Sequence, residues 1–139
     1  MPPFNQSAMD GYAVNMHNSN EYKIIDEVKA GDAKQPTLQT GEAVRIFTGA
    51  PVPDTANAII IKEHVSVDEQ VLTANKPTTL NANLRHLGEQ TKKGDIALLK
   101  GIKLTPAGIG FLTSLVITDV TVNKPLSISL VVTGNELAT

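Results

Sequence analysis

Residues 43–61, with the sequence AVRIFTGAPVPDTANAIII, contain two short apolar runs separated by a segment of turn-forming residues. The runs at 43–47 and 58–61 are rich in β-branched residues, which favour extended strands. Pro51 and Pro53 lie between the runs, where a missing backbone N–H group removes no hydrogen bond from a sheet. The stretch therefore predicts two β-strands joined by a loop, and it indicates a mainly β protein.

Similar runs continue on both sides of this stretch. Residues 12–14 form a strand-like run directly after the turn dipeptide Asp10-Gly11. Residues 65–73 alternate less cleanly, and the polar residues at 68–70 predict the turn of a hairpin. We therefore expect residues 23–94 to form a small, mostly antiparallel β unit.

The C-terminal third predicts one short helix. Thr105 can cap it, and Pro106 suits its first position because the absent N–H group would have no partner there. The helix is expected at about 105–116. Gly108 and Gly110 weaken it by about 1 kcal/mol each relative to alanine, so packing must stabilise it.

Three further apolar runs, at 96–99, 120–122 and 126–132, predict strands. The last one leads into Thr133-Gly134, as a strand does at the opening of an α/β unit. No helical pattern follows it, so we interpret residues 126–139 as the first strand of a truncated α/β domain.

The composition excludes several classes of function. The chain has 139 residues, of which 41% are hydrophobic, and this is enough for a globular core. Its net charge of −2 offers no basic excess for a nucleic acid. The absence of cysteine excludes disulfides and thiolate catalysis. No run is long enough for a membrane span, and the start lacks the pattern of a signal peptide, so we expect a cytoplasmic protein without membrane contact.

Six sequence segments carry a family resemblance. The two longest are PFNQSAMDGYAV at 3–14 and IFTGAPVP at 46–53. The shorter ones are AII with Glu63 at 58–63, NLRHLGE at 83–89, LTPAGIG at 104–110 and TGNEL at 133–137. In this order they resemble the motifs of the molybdopterin molybdenumtransferases and of the related gephyrin E domain. The resemblance covers essentially the whole chain.

The resemblance implies a layout for the fold. It implies bifurcated and coiled β-sheets with a small β-barrel-like unit and one short helix at about 105–116. Residues 1–22 and 95–125 would belong to a central linker region, 23–94 would form a β-rich subdomain, and 126–139 would open the α/β domain. The full family enzyme is an elongated homodimer, with its active site between the α/β domain of one subunit and the β region of the other.

The resemblance also implies a reaction, the insertion of molybdenum from molybdate into adenylylated molybdopterin. Both compounds are then substrates, Mg²⁺ is the expected cofactor, and molybdopterin adenylyltransferase is an expected partner. We expect a fragment of this enzyme that is inactive alone. Two alternatives stay open: a scaffold or dimerisation module, because the gephyrin E domain clusters receptors, and a degenerate paralogue that keeps the fold without the chemistry.

Three motif segments contain candidate site residues. Asp10 is expected to act in catalysis or as a metal ligand, although on local sequence alone it is a turn residue. Thr48 and Gly49 are expected to bind substrate through a hydroxyl and backbone N–H groups, although they also suit a plain strand-ending turn. Arg85 offers a bidentate fork for phosphate, and it is equally suited to a surface salt bridge.

The remaining candidates lie near departures from the family pattern. Glu89 is a second candidate metal ligand, and Glu136 is a second catalytic candidate. Gln90 stands where the family usually has an acidic residue, and an uncharged side chain is a poorer cation ligand, which motivates the degenerate-paralogue alternative. Asn135 replaces the aspartate of TGDEL. Val116 stands where the family often has the glycine that ends the helix.

Overall fold

The computed structural model describes residues 1–131, 133 and 134. The chain divides into two compact units, Met1–Ala97 and the residues from Leu98 onward. Among the described residues, every strand lies in the first unit and the α-helix lies in the second. The mainly β fold class with one short helix is therefore confirmed.

The first unit contains eight strands. They are β1 (Gln6–Ser7), β2 (Gly11–Val14), β3 (Glu21–Val28), β4 (Glu42–Ile46), β5 (Ala58–Ile61), β6 (Val65–Asp68), β7 (Val71–Ala74) and β8 (Leu84–Arg85). One turn of 3₁₀-helix, Lys62–His64, connects β5 to β6.

Six of these strands form one sheet in the order β5-β2-β4-β3-β7-β6, while β1 and β8 pair separately. Strand β2 runs antiparallel to both β4 and β5, so that Gly11 lies between Ile46 and Ile61. Strands β3 and β4 are parallel, and the other ladders of this sheet are antiparallel. The mostly antiparallel pairing expected for residues 23–94 is confirmed, but the sheet also contains β2, which lies before residue 23.

The sheet buries apolar side chains on both faces, because alternate residues of a strand point to opposite sides. One core cluster contains Ala13, Val28, Leu38, Val44, Ile46, Ala50, Val52 and Ile59. The other contains Val14, Tyr22, Ala43, Ala58, Ile60 and Leu72, with Tyr12 packed against it. Along β2, β4 and β5, adjacent buried hydrophobic residues belong to different clusters, so both faces of these three strands are packed.

At Gly11, strand β2 lies too close to β5 for a side chain. A Cβ atom at this position would lie 2.1 Å from the carbonyl oxygen of Ile60. No side chain can be accommodated at that distance, so only glycine allows β2 to pair with β5 here. The residue that follows Asp10 is thus required by packing.

The second unit contains helix α1, Pro106–Ser114. The Thr105 hydroxyl accepts a hydrogen bond from the Gly108 N–H group at 3.1 Å, and Pro106 occupies the first turn, as predicted. Leu112 is the buried residue of this helix. No helix in the part of the chain that the structure describes is long and apolar enough to cross a bilayer.

Strands predicted at 12–14, 43–47 and 58–61 are confirmed, as is the hairpin within 65–73. The longest strand, β3, was not predicted individually. Its ladder with β4 has an irregularity between Ile24 and Asp26, which interrupts the regular alternation that identifies a strand in a sequence.

The strands predicted at 96–99 and 120–122 are wrong, since these residues form no ladder with any described residue. A strand requires a partner edge, and an apolar run alone does not supply one. Residues 126–131 also lack such a partner, and Val132 lies outside the described residues. The assignment of 126–139 to an α/β domain stays a prediction, as do the divisions at 1–22, 23–94 and 95–125.

Candidate functional site

Two of the motif segments are joined by backbone hydrogen bonds. The Ser7 N–H group donates to the Ala50 carbonyl at 3.0 Å, and the Gly49 N–H group donates to the Ser7 carbonyl at 2.9 Å. Gly49 has a φ of 82°, a left-handed conformation that glycine adopts without strain. The loop before β2 and the turn after β4 therefore form one rigid structure.

Asp10 lies in this structure with its carboxylate on the Thr48 turn. Its Oδ1 atom accepts hydrogen bonds from the Thr48 backbone N–H at 2.8 Å and from the Thr48 hydroxyl at 2.7 Å. The two residues are 38 positions apart, so the tertiary fold makes this contact. Both donors of Thr48 are thereby directed at Asp10.

These hydrogen bonds lower the pKa of the Asp10 carboxyl. The Thr48 backbone N–H and then its hydroxyl hold the pKa of the Asp10 carboxyl below its ordinary value, with smaller contributions from the charges of Lys62 and Arg45. Asp10 is therefore an ionised carboxylate at neutral pH. An ionised carboxylate with a lowered pKa is a weak general base and a good ligand for a hard cation.

A buried serine supports the loop that presents Asp10. Ser7 is fully buried, and its hydroxyl donates to the Met9 carbonyl at 2.5 Å. A buried hydroxyl is stable only when it is hydrogen-bonded, so this contact shapes the residues immediately before Asp10. The sequence contained Ser7 within the motif but gave no indication that it was buried.

Arg85 lies on β8, the strand that pairs with β1. It is paired with Gln6 in the β1–β8 ladder and its side chain is exposed. Asn83, just before β8, is hydrogen-bonded to Ala8 and to β5. Its carbonyl accepts from the Ala8 N–H group and its side-chain amide donates to the Ile59 carbonyl, both at 2.9 Å. Asn83 has a left-handed φ of 57°, which asparagine tolerates.

Glu89 forms a local turn. Its carboxylate accepts from the His86 N–H group at 3.0 Å, and its own N–H group donates to the His86 carbonyl at 3.1 Å. The adjacent Gln90 is exposed, and its N–H group donates to the Met1 carbonyl at 2.9 Å. Glu136 lies outside the described residues.

Of the candidates, the structure brings together Asp10, Thr48 and Gly49, and it joins Arg85 to the same loop through β1. No group of three His, Asp or Glu side chains within residues 1–131, 133 and 134 could hold a metal ion. Asp10 can supply one carboxylate ligand, which suits Mg²⁺ when substrate phosphates and water provide most of its ligands. The roles expected for Asp10, Glu89, Thr48, Gly49 and Arg85 stay predictions.

Two cations act on Asp10 that are not among the site residues expected from the sequence. Lys62 follows β5 directly, and its N–H group donates to the Asp10 carbonyl at 3.2 Å. Arg45 lies opposite Tyr12 in the β2–β4 ladder. Arg45 precedes the IFTGAPVP segment and could have been found there, whereas nothing local indicated Lys62.

Together, fold and site define a class of protein: a mainly β region in which a turn holds an ionised carboxylate beside cationic side chains. Comparison with known proteins makes this class specific. Residues 1–116 match the family described as MoeA N-terminal region (domain I and II). The chain therefore belongs to the MoeA N-terminal family.

Individual relatives agree with this assignment. The chain is similar to the molybdopterin molybdenumtransferase of Haemophilus influenzae, with 37% identity over 141 residues that cover 99% of this chain and 35% of the relative. It is 35% identical over 145 residues to that of Staphylococcus aureus, again covering 99% of this chain and 35% of the relative.

A solved structure is also similar. The crystal structure of the molybdopterin biosynthesis moeA protein from Pyrococcus horikoshii OT3 has a TM-score of 0.77 and 33% identity, over 84% of this chain and 33% of that one. The chain thus spans about a third of the length of the curated relatives it matches.

Proposed function

We propose that this chain supplies the N-terminal part of an enzyme that inserts molybdenum from molybdate into adenylylated molybdopterin. The observation that carries the proposal is the contact between Asp10 and Thr48, which joins the two longest family motifs in one rigid arrangement. Family membership and similarity to named molybdenumtransferases support it. The proposed setting is the cytoplasm.

In this proposal, Asp10 is the carboxylate ligand of a divalent cation. Asp10 is charged at neutral pH, its pKa is lowered further by Thr48, and the two hydrogen bonds from Thr48 orient its carboxylate. Mg²⁺, when bound, would compensate negative charge on the phosphoanhydride of the substrate. Arg85, exposed at the end of β8, would contact phosphate oxygens with its planar fork.

We further propose that the chain alone does not turn over substrate. It spans about a third of its relatives, so the α/β domain and the ligands of that domain would come from elsewhere. A homodimer of the complete enzyme would place this β region against the α/β domain of its partner. Molybdopterin adenylyltransferase would supply the adenylylated substrate.

A chimera tests the proposal directly. Residues 1–131 would replace the matching region of the Haemophilus influenzae relative, and molybdate-dependent release of AMP from adenylylated molybdopterin would be measured. We expect turnover by the chimera. Asp10→Asn should lower kcat by roughly a hundredfold, as expected for loss of one charge-stabilising group.

Asp26→Asn is the matched control for this substitution. Asp26 is also a carboxylate with a lowered pKa, owing to its hydrogen bonds from Lys34 and the Glu27 N–H group, and it lies on β3 away from Thr48. The control should leave kcat within about twofold of the unsubstituted chimera. Equal activity of Asp10→Asn and the unsubstituted chimera would refute the role of Asp10.

The degenerate-paralogue alternative has a specific observation in its favour. Gln90 is exposed and uncharged at the position where the family pattern has an acidic residue. If the chemistry has been lost there, the chimera is inactive and Gln90→Asp restores turnover. If the chimera is active and Gln90→Asp changes nothing, this alternative fails.

A further inference from the structure

The Thr48 donors that the sequence predicts for an anionic substrate are already occupied in the structure. Both the N–H group and the hydroxyl of Thr48 donate to Asp10 at 2.8 and 2.7 Å, so neither is directed at a ligand. A negatively charged group approaching Asp10 also meets a carboxylate. Other positive groups must therefore lie near this position if it receives an anionic substrate.

Two cations flank Asp10 in the sheet. Arg45 is paired with Tyr12 in the β2–β4 ladder, and Tyr12 is paired with Ile60 in the β2–β5 ladder, so Arg45 and Tyr12 share one face. At the end of the same two ladders, beyond Gly11, Lys62 follows β5 and donates its N–H group to the Asp10 carbonyl. Asp10 thus lies between a cation from β4 and a cation that follows β5.

Arg45 is oriented before any ligand arrives. Its Nε atom is 3.6 Å from a Glu27 carboxylate oxygen, and its guanidinium lies 5.2 Å from the centre of the Phe47 ring. The Glu27 contact is longer than a hydrogen bond, so the guanidinium keeps its donors. The side chain is 54% exposed, which leaves it accessible. A preoriented arginine loses little conformational entropy when it binds an oxyanion.

Lys62 is exposed and makes no ion pair with the carboxylates that the structure describes. Glu27 is shared, because Lys29 also lies 3.1 Å from its carboxylate. Two cations, Lys29 and Arg45, thus share the single carboxylate of Glu27. These three side chains carry one more positive than negative charge, in a chain whose net charge is −2.

We propose that Arg45 and Lys62 form a docking subsite for a tetrahedral oxyanion beside Asp10. The subsite extends the proposed function, on which it rests for the source of the anion: a phosphate group of the phosphoanhydride, or molybdate. The guanidinium and the ammonium group hold the oxyanion from two sides, and Asp10 stays available for a cation bound to the same group. Thr48 acts through Asp10 and does not contact the anion.

Direct binding to this chain tests the subsite without turnover. Inorganic pyrophosphate and molybdate would be titrated in separate experiments, and amide chemical shifts of Thr48, Gly49 and Lys62 would be followed by NMR. We expect saturable shifts with one of the two ions. Tighter binding of pyrophosphate assigns the subsite to the phosphoanhydride, and tighter binding of molybdate assigns it to the metal oxyanion.

Charge-neutral variants identify the residues. Lys62→Gln and Arg45→Gln should each weaken binding about tenfold, the loss expected for one charge-assisted hydrogen bond. Lys23→Gln is the matched control, because Lys23 is an exposed cation near the start of β3, at the opposite end of its ladder with β4. The control should bind as the unsubstituted chain does. Arg45→Lys, which keeps the charge, should recover part of the affinity and guards against a folding defect in Arg45→Gln.

The outcomes separate this subsite from the proposed function. Absence of saturable binding by either ion, or equal binding by the unsubstituted chain and both neutral variants, would overturn the subsite even if the chimera were active. Saturable binding that requires Arg45 and Lys62, together with an inactive chimera, would keep the subsite and refute the proposed enzyme activity.

Discussion

At the scale of single residues, Asp10 has a different part from the one its local sequence suggests. An aspartate before glycine is a common turn residue, and here Oδ1 instead accepts two hydrogen bonds from Thr48 on another strand end. The pKa of its carboxyl is lowered for this reason first, and by the charges of Lys62 and Arg45 second. The lowered pKa of Asp10 is thus a tertiary property.

The first prediction concerns the titration of Asp10. Thr48→Val removes the hydroxyl donor and keeps the backbone donor, so the pKa of Asp10 should rise part of the way toward its ordinary value of 3.8. Carboxyl chemical shifts measured by NMR against pH would report this. Ser66→Ala, which removes a hydroxyl bound to Asn75, is the control and should leave the Asp10 titration unchanged. An unchanged pKa in Thr48→Val would contradict the assignment.

The same shift predicts a dependence of stability on pH. Because the folded-state pKa of Asp10 lies below its unfolded-state pKa, ionised Asp10 stabilises the fold above about pH 4, the ordinary aspartate range. This contribution is lost as pH falls through the folded-state pKa. The difference in unfolding free energy between the unsubstituted chain and Asp10→Asn should therefore shrink on acidification. Urea unfolding at pH 7 and pH 3 measures it, and a constant difference would argue against the linkage.

Gly11 gives a prediction about packing. Gly11→Ala places a Cβ atom 2.1 Å from the Ile60 carbonyl oxygen and should lower the unfolding free energy by about 3 kcal/mol, the upper range for overpacking. Gly31→Ala is the control, because Gly31 has a φ of 90° but no heavy atom near a Cβ, and it should lose only about 1 kcal/mol. Urea denaturation compares them, and equal losses would show that strand contact is not the cause.

At the scale of elements, helix α1 ends in a regular hydrogen-bonded motif, but Val116 occupies the position of that motif that favours glycine. The Ile117 N–H group donates to the Leu112 carbonyl at 3.0 Å, and the Val116 N–H group donates to the Thr113 carbonyl at 2.9 Å. This is the Schellman pattern, whose left-handed residue is usually glycine. Val116 takes that place with a φ of 61°, which is unfavourable for a β-branched side chain.

Val116→Gly should therefore stabilise the helix end by about 1 kcal/mol. Val116 is 83% exposed, so the substitution sacrifices little apolar burial. Thermal unfolding followed by circular dichroism would detect the gain, and hydrogen exchange at the Ile117 amide should slow. Val122→Gly, in a segment without regular structure, is the control and should give no gain. Loss of stability in Val116→Gly would contradict the strain assigned to this residue.

At the scale of the whole molecule, the chain combines a sheet-forming unit that carries Asp10, Thr48, Arg45 and Lys62 with a second unit that carries α1. All residues proposed to contact an anion or a cation lie in Met1–Ala97. The subsite is therefore expected to bind an ion in this chain, while turnover needs the domains proposed to complete it. We therefore expect ion binding and turnover to be separable in experiments on this chain.

The corresponding prediction is that the chain alone releases no AMP from adenylylated molybdopterin in the presence of molybdate. The chimera measured in parallel is the positive control. Turnover by the chain alone would refute the need for further domains. Solution mass from light scattering addresses the scaffold alternative, because a stable dimer of this chain would favour an assembly role.

The sequence by itself determined the mainly β class, the strands at 12–14, 43–47 and 58–61, the hairpin within 65–73 and the capped helix. These features depend on local periodicity, turn residues and helix caps, all of which are visible in short stretches of sequence. It also determined the family, through ordered motifs. The sequence did not reveal β3, whose ladder with β4 contains an irregularity. It wrongly predicted strands at 96–99 and 120–122, which form no ladder with any residue that the structure describes.

Only the tertiary structure decided how the motif residues are used. Asp10 and Thr48 are 38 residues apart, and their contact depends on the pairing of β2 with β4. That pairing directs both Thr48 donors at Asp10, and the β2–β5 register brings Lys62 beside it. Register and long-range hydrogen bonds are properties of paired strands, so no single stretch of sequence contains them.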